Sequence, residues 1–468
     1  MNTVLKRGCV RLLFLAVILL VIGLATAVRV IGPLLNEGAN VLILFNNTDE
    51  RRGTGGFTTA YMTITRTNGA FVTHLGSSYE IDTPPTASGA VLVVPPPKPM
   101  HDTMGIDRWS FRDANWSPDV PTSAQAASKF YTLTTHAQTP LLVITVNMSA
   151  LSTLMRHLPP MQACSSTTCH TLNQDTSLDW LRAAWTDSAS GPQGDKSFIG
   201  DKARQLIAAT RALPFSDQLS VIPALNDMLM RGDVLLYSPD AGLQAFFAAR
   251  HWSGPFPFAP QGNTVLYSEN NIGYNKTSSS LRREMAYSVD FTQSPPHAAL
   301  TITYTSPPID SSPIDPRLQT CHSIDSVGAL ALGVPTYEDR MLGCAWIYAM
   351  IYPMPRSKLT AYDIPPVAAD QFPFGLRGQT GRIDAVKDGG VKGWGSVMVI
   401  PYGQSRTIKL TYTLPANTDE TFNLPAVADM RAMWHVTIKH HDGRLQTFIY
   451  DTSSRTLSEE DNLTDSRP

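Results

Sequence analysis

Two short segments of this 468-residue chain concentrate the side chains that bind charge. The first is Glu50-Arg51-Arg52-Gly53-Thr54-Gly55-Gly56-Phe57. Consecutive glycines expose backbone N–H groups, and arginine forks match phosphate or carboxylate geometry. Arg52, Thr54, Gly55 and Gly56 are therefore candidate anion ligands. The plainer alternative is a glycine-rich turn carrying two solvated arginines. A nucleotide P-loop is excluded, because the Gly-Lys-Ser/Thr ending is missing. The second segment runs from Trp109 to Asp119, Trp-Ser-Phe-Arg-Asp-Ala-Asn-Trp-Ser-Pro-Asp. It sets Arg112, Asp113, Asn115 and Asp119 in an aromatic frame, where polar groups are costly unless bonded to each other or to a ligand. Either Arg112 pairs with Asp113 or Asp119 in a structural corner, or the cluster faces a ligand. A divalent cation on Asp113, Asn115 or Asp119 is a lesser alternative, since the spacing is not that of an EF-hand loop. No metal site and no cofactor are expected, and no catalytic residue is assigned.

Other chemistry has weaker support. There is no Gly-x-Ser-x-Gly elbow and no His-Glu-x-x-His motif, and the 11 histidines are scattered. His170 beside Cys169 lacks a second ligand pair for zinc. His440-His441 precedes Asp442-Gly443 and reads as a turn. Asn271 to Lys276 reads as a polar loop joining two domains.

The elements that position the two segments follow from periodicity. Asn40 to Phe45 reads as a buried strand, Asn46 to Gly56 as a polar loop, Phe57 to Arg66 and Ala70 to Leu75 as a hairpin around Thr67-Asn68-Gly69. Thr122 or Ser123 caps a helix to about Leu133, Leu141 to Val146 is a strand, and Asn147 or Ser149 opens a helix to His157. Cys164 to Lys196 is a polar insertion or long loop. Helices follow over Ser197 to Leu213 and through the spacing of Leu219, Ile222, Leu225 and Leu229, with Pro223 kinking or restarting the second and Gly232 stopping it. Val234 to Tyr237 is a strand, and Gly242 to Arg250 a helix. After Ser280 the pattern becomes period-two alternation, as at Glu284 to Phe291, Ala299 to Tyr304 and Arg406 to Leu414. The expectation is an α/β domain with a mixed sheet and flanking helices over 36–280. An all-β, sandwich-like domain follows over 281–452, and a disordered tail over 453–468.

Composition fits that reading. Charged residues are 16% and there are 35 prolines, which favours loop-rich β structure over a coiled coil. A net charge of −2 gives no basis for nucleic-acid binding. Lys6, Arg7 and Arg11 precede a charge-free run from Leu12 to Val28, the pattern of a single N-terminal transmembrane helix with the bulk of the chain outside the cell membrane. Residues 1–35 are thus read as a cytoplasmic tip and anchor. Ala25-Thr26-Ala27 also fits a signal-peptide cleavage site, and both readings export the remainder. Of five cysteines, Cys9 lies before the run; Cys164, Cys169, Cys321 and Cys344 lie after it. An even number in an oxidising compartment suggests two disulfides, with Cys164–Cys169 and Cys321–Cys344 the nearest-neighbour pairing.

Taken together, the two motifs resemble a bacterial membrane-anchored family known as domain of unknown function 4012. Its first hallmark is an Asn-rich loop ending in Thr-Gly-Gly-Phe, here Asn47 to Phe57, with Gly53 where the family usually has proline. Its second is Arg-Asp-Ala-Asn-Trp-Ser-Pro-Asp followed by Pro-Thr-Ser, here Arg112 to Asp119 and Pro121 to Ser123. Phe198 to Asp201, Asn275-Lys276, Tyr402-Gly403, Arg406-Thr407 and Tyr412 also fit, so the resemblance runs from about Asn40 to about Leu414. Thr139-Pro140-Leu141 departs from the family's Asp-Gly start. The element order is distantly similar to the LytR-CpsA-Psr enzymes, which transfer glycopolymers from a polyprenyl-pyrophosphate carrier to cell wall, using arginines and an Asp-bound divalent cation. That resemblance implies the arginine role for Arg52 and Arg112 and the cation role for Asp113 or Asp119. Against it, Leu75 to Asp82 has no arginine where those enzymes carry an Arg-Asp pair.

Two functional readings result. One is a non-catalytic envelope protein that binds glycan or protein. The other is a transferase, or a binder, of polyprenyl-phosphate-linked glycopolymers. The discriminating observation is whether Arg52, Arg112 and Asp113 converge on an open pocket.

Overall fold

The computed structural model describes residues 32, 34–82, 94–165, 168–187, 197–254, 256, 262–307, 321, 337, 341–371, 381–423, 430–452 and 456–459. The run 12–28 and residues 460–468 lie outside them. Among the described residues no helix is long and apolar enough to cross a membrane.

The first unit is built on one mixed sheet, in the order β3-β2-β1-β4-β7. These strands are β1 (Asn40–Arg52), β2 (Gly55–Thr67), β3 (Ala70–Ser77), β4 (Leu142–Asn147) and β7 (Val234–Tyr237). β1 and β4 are parallel, and the other pairs are antiparallel. Successive side chains of a strand face opposite ways, so a run apolar at every position needs cover on both faces. Leu42 and Leu44 face one way and pack with Ala124, Ala127 and Phe130 of α1 (Val120–Thr135). Val41 faces the other way, into a cluster shared by α2 (Ser149–His157), α5 (Val221–Arg231) and α6 (Ala241–Ala248). Between α2 and α5 lie β5 (Met161–Cys164), β6 (Cys169–Leu172), α3 (Ser177–Asp187) and α4 (Ser197–Ala212). The expected insertion over Cys164–Lys196 thus contains a hairpin closed by the Cys164–Cys169 disulfide and a helix.

The second unit is two stacked sheets. A seven-stranded sheet runs β12-β15-β10-β9-β17-β18-β19, and a five-stranded one runs β13-β14-β11-β8-β16. In the first are β9 (Arg282–Asp290), β10 (His297–Thr305), β12 (Lys358–Asp363), β15 (Ser405–Thr413), β17 (Met433–Lys439), β18 (Leu445–Asp451) and β19 (Thr456–Glu459). In the second are β8 (Asn263–Asn271), β11 (Ala345–Pro353), β13 (Asp384–Asp388), β14 (Val391–Ile400) and β16 (Phe422–Asn423). Met285, Tyr287, Leu300, Ile302 and Leu410 meet Val265, Ile347 and Met398 in the core between the sheets.

The outer face of the five-stranded sheet is not left to water. Trp346, Tyr348, Met350 and Tyr352 on that face pack with Met100, Met104 and Trp116 of the first unit. All nine residues of β11 are buried for this reason. Cys321 and Cys344, joined by the second disulfide, belong to the same cluster.

Three boundaries differ from expectation. Asn46–Gly56 is not a loop: β1 continues to Arg52, pairs Arg51 with Gly56 and Arg52 with Gly55, and bulges between Asn47 and Arg51. β8, assigned by its position before Ser280 to the α/β domain, is an interior strand of the second unit. Thr456–Glu459, placed in a disordered tail by its polar composition, pairs with β18.

Candidate functional site

The β1–β2 hairpin turns through two residues, Gly53 and Thr54. Its tip is wedged between the Trp109–Asp119 segment and β8. A Cβ on Gly53 would lie 2.3 Å from the Ser117 carbonyl carbon, and the Gly53 N–H donates to Asn270 Oδ1 at 3.1 Å. Gly55 has φ of 127° and lies against the Asn147 side chain, while Gly56 lies against the Asn47 backbone. Thr54 is buried, and its carbonyl accepts from Asn147 Nδ2. The three glycines therefore admit protein, and the Gly53 N–H is turned into the joint.

Successive residues on a strand point to opposite faces, and this separates the two arginines. Arg52 is fully buried. Its Nε and Nη2 donate to Asp113 Oδ1 at 3.1 and 2.9 Å, and Nη2 also donates to Glu50. Nη1 donates to the carbonyls of Arg51 and, at 2.7 Å, Asn271. Glu50 is in turn paired with Lys276. Arg51 lies 3.6 Å from Glu269, which Arg283 holds with both Nε and Nη2. Asp49, two residues before Arg51, binds Arg182 of α3 and Tyr337. Burial alone raises the pKa of a carboxylate. For Glu50 the attraction of Lys276 and Arg52 outweighs burial and leaves the group below its ordinary range. Arg283 and Arg51 do the same for Glu269, and Arg182 for Asp49.

Arg112 is the half-exposed member of this set, with 30% of its side chain open to solvent. It lies 3.6 Å from Asp113, 3.4 Å from Asp82 and over the ring of Tyr79. Three cations, Arg52, Arg112 and Lys276, thus meet three carboxylates, Glu50, Asp82 and Asp113. Asp82 sits in the short helix Ser78–Asp82 and accepts from the Phe111 N–H. Burial pushes its carboxyl up to about 6, despite Arg112.

Asn115 and Asp119 turn away from the arginines. Asn115 Nδ2 donates to the Gly56 carbonyl, and its buried Oδ1 has no hydrogen-bond partner. Asp119 is the cap of α1, accepting from Thr122 N and Oγ1 and from Phe256 N. That corrects the cap expected at Thr122 or Ser123. Among the described residues no group of three or more His, Cys, Asp or Glu is arranged to hold a metal ion.

Sequence reasoning passed over Asp82, Glu269, Asn270 and Arg283 among the partners that complete the cluster, and took Asn271 only as the start of a linking loop. A signal existed for three of them. Ser268-Glu269-Asn270-Asn271 continues a run of apolar strand residues with polar ones, and such a continuation is stable in a core only when every group is bonded.

Residues 36–184 match the family described as Protein of unknown function (DUF4012). Both arginine motifs fall inside the matched segment. No curated protein gives a significant match. Among solved structures, the Lin1025 protein from Listeria innocua is 10% identical, over 49% of this chain and 85% of that one, with a TM-score of 0.25. A structure described as TagT bound to LI-WTA is 12% identical over 40% and 74%, with a TM-score of 0.22. TagV of B. subtilis is 10% identical over 50% and 88%, with a TM-score of 0.23. Superposition at that level does not establish a shared fold.

Proposed function

We propose that the protein is a membrane-tethered component of the bacterial envelope, with its bulk outside the cell membrane and a non-catalytic role in binding glycan or protein. The observation that carries this reading is the use made of Arg52. Every direction of its guanidinium is taken by groups of the chain, and the adjacent Gly53 packs against the backbone of Trp116 and Ser117. A buried cation so enclosed serves as a joint, and an anionic ligand would have to displace Asp113 to reach it.

One observation favours a second reading, binding or transfer of a polyprenyl-phosphate-linked glycopolymer. Arg112 keeps an open face, and among the described residues its ion pairs to Asp82 and Asp113 are longer than hydrogen bonds. An anion at that face, with Asp113 and Asp82 behind it, is the remaining route to such chemistry, and those two would be the carboxylates nearest a cation there.

Thermal unfolding with and without a polyprenyl phosphate separates the readings. For the first, the lipid leaves the wild-type unfolding temperature unchanged and Arg52→Lys lowers it strongly, because Lys keeps the charge but loses the fork. A lipid-dependent rise that vanishes in Arg112→Lys, with stability otherwise intact, would establish the second.

A further inference from the structure

The α/β unit has six large apolar side chains that are exposed among the described residues: Leu35, Val72, Leu133, Phe215, Leu219 and Met230. Single exposed apolar residues are ordinary on a soluble surface. Their placement here is not scattered. β1 enters the sheet at Asn40, which pairs with Thr65, and Thr65 pairs with Val72. Glu37 accepts from the N–H of Asn68 at the tip of the β2–β3 turn, so Leu35 and Val72 share this end. Asn40 Nδ2 donates to the Gln138 carbonyl, just beyond the C-terminus of α1, which brings Leu133 there too.

The opposite face of the sheet arrives at the same end. α2 and α5 run antiparallel, with Thr153 bound to Asp233 and His157 to Asp227. Asp233 lies beside Asn147, at the hairpin-tip end of the sheet. The start of α5, and the short helix Phe215–Gln218 before it, therefore lie at the far end. Phe215 is 74% exposed, the most open large apolar side chain among the described residues. Five of the six thus crown the end where the chain enters, and only Met230 lies near the joint.

We infer that this end rests in the membrane interface, with Leu35, Val72, Leu133, Phe215 and Leu219 inserted among lipid acyl chains. The inference rests on reading residues 12–28 as an uncleaved anchor. Leu34, which is buried, is six positions after Val28, so the anchor holds this end within about 21 Å of the bilayer core even when fully extended. Tethering keeps the local lipid concentration high, and weak apolar contacts then suffice for contact. Nearby charges are mixed, Arg66 and Arg211 against Glu37 and Asp217, so apolar insertion rather than attraction to anionic lipid holds the surface. Seated this way, the unit holds the Arg52 joint at the end of the sheet away from the bilayer.

The full-length chain carrying Cys9→Ser tests this. Phe215→Cys, Leu133→Cys or Met230→Cys is labelled with an environment-sensitive fluorophore, and the protein is reconstituted into phosphatidylcholine vesicles with or without spin-labelled lipid. The expected result is loss of most fluorescence to the lipid quencher at 215 and 133, little at 230, and the same pattern when phosphatidylglycerol is added. Equal quenching at all three sites, or none at 215 and 133, overturns the docking. Labels shielded from aqueous iodide but not reached by the lipid quencher overturn it too, and point to a protein on this surface. Alkaline carbonate extraction separates the premises: protein that stays in the membrane with unquenched labels defeats the docking alone, and released protein defeats the anchor and the docking together.

Discussion

Arg52 and Arg112 meet at Asp113 and are set to different uses by burial. Removing a partner from a buried ion pair leaves a charge uncompensated, so Arg52→Met should destabilise the fold by about 3–5 kcal/mol. Urea unfolding checks this; a loss well under 1 kcal/mol would mean that the pair is solvated in solution. Arg112→Met, at the open edge, should cost clearly less in the same assay. Asp82 makes a separate prediction. Its folded pKa is raised from 3.8 to about 6 by burial. The folded state therefore takes up this proton first, and the stabilisation is fully present below about pH 4 and lost as pH rises through about 6. A shift of that size corresponds to roughly 3 kcal/mol. Glu50 and Glu269 act in the opposite sense: their lowered pKa values stabilise the fold above the ordinary glutamate range and lose that effect as pH falls. Asp82→Asn should remove the component that rises on acidification between about pH 6 and 4. Parallel stability profiles for variant and wild type would defeat that assignment.

At the scale of elements, the hairpin tip is fixed by contact rather than by turn preference. Gly53→Ala places a Cβ 2.3 Å from the Ser117 carbonyl carbon and 2.4 Å from the Trp116 carbonyl oxygen. Backbone cannot yield as a side-chain end can, so the expected cost is about 3 kcal/mol, the upper part of the range for overpacking. Calorimetry on that variant and on Gly69→Ala, where nothing lies within 4 Å, separates crowding from the backbone preference of a turn glycine. The two disulfides should also differ. Cys321 and Cys344 are buried in the cluster between the units, and replacing both should cost about 2–5 kcal/mol. Cys164–Cys169 closes an exposed hairpin, and its removal should be milder, as thermal unfolding of the two paired Ser variants will show.

For the molecule as a whole, the five-stranded sheet is the middle layer. One face packs on the seven-stranded sheet and the other receives Met100, Met104 and Trp116. Hydrogen bonds from Arg52 to Asn271 and from Gly53 to Asn270 cross the same boundary. The units should therefore unfold in one transition, and a chain ending at Gly254 should expose the Trp116 face and bind a hydrophobic dye. Two separated calorimetric transitions, or a monomeric fragment that binds no dye, would show the joint to be a loose contact.

Much of this was legible along the chain. An apolar run located the first half of β1, alternation β2 and β9, a turn signal β3, cap residues α1 and α2, and helical spacing α5; the cysteine count gave two disulfides, and the nearest-neighbour pairing is the one seen at Cys164–Cys169 and Cys321–Cys344. These are local properties, set by side-chain periodicity and loop length. The sequence also marked Arg52, Arg112 and Asp113 as belonging together. What it could not carry was whether they surround a ligand or each other. Arg52 finds Asp113 at 61 positions' distance and the Asn271 carbonyl at 219. No window of sequence records such a partner, and an arginine beside glycines reads the same whether water or β8 lies in front of it. For Arg52, only the packing of the second unit against the first put β8 where solvent would otherwise lie.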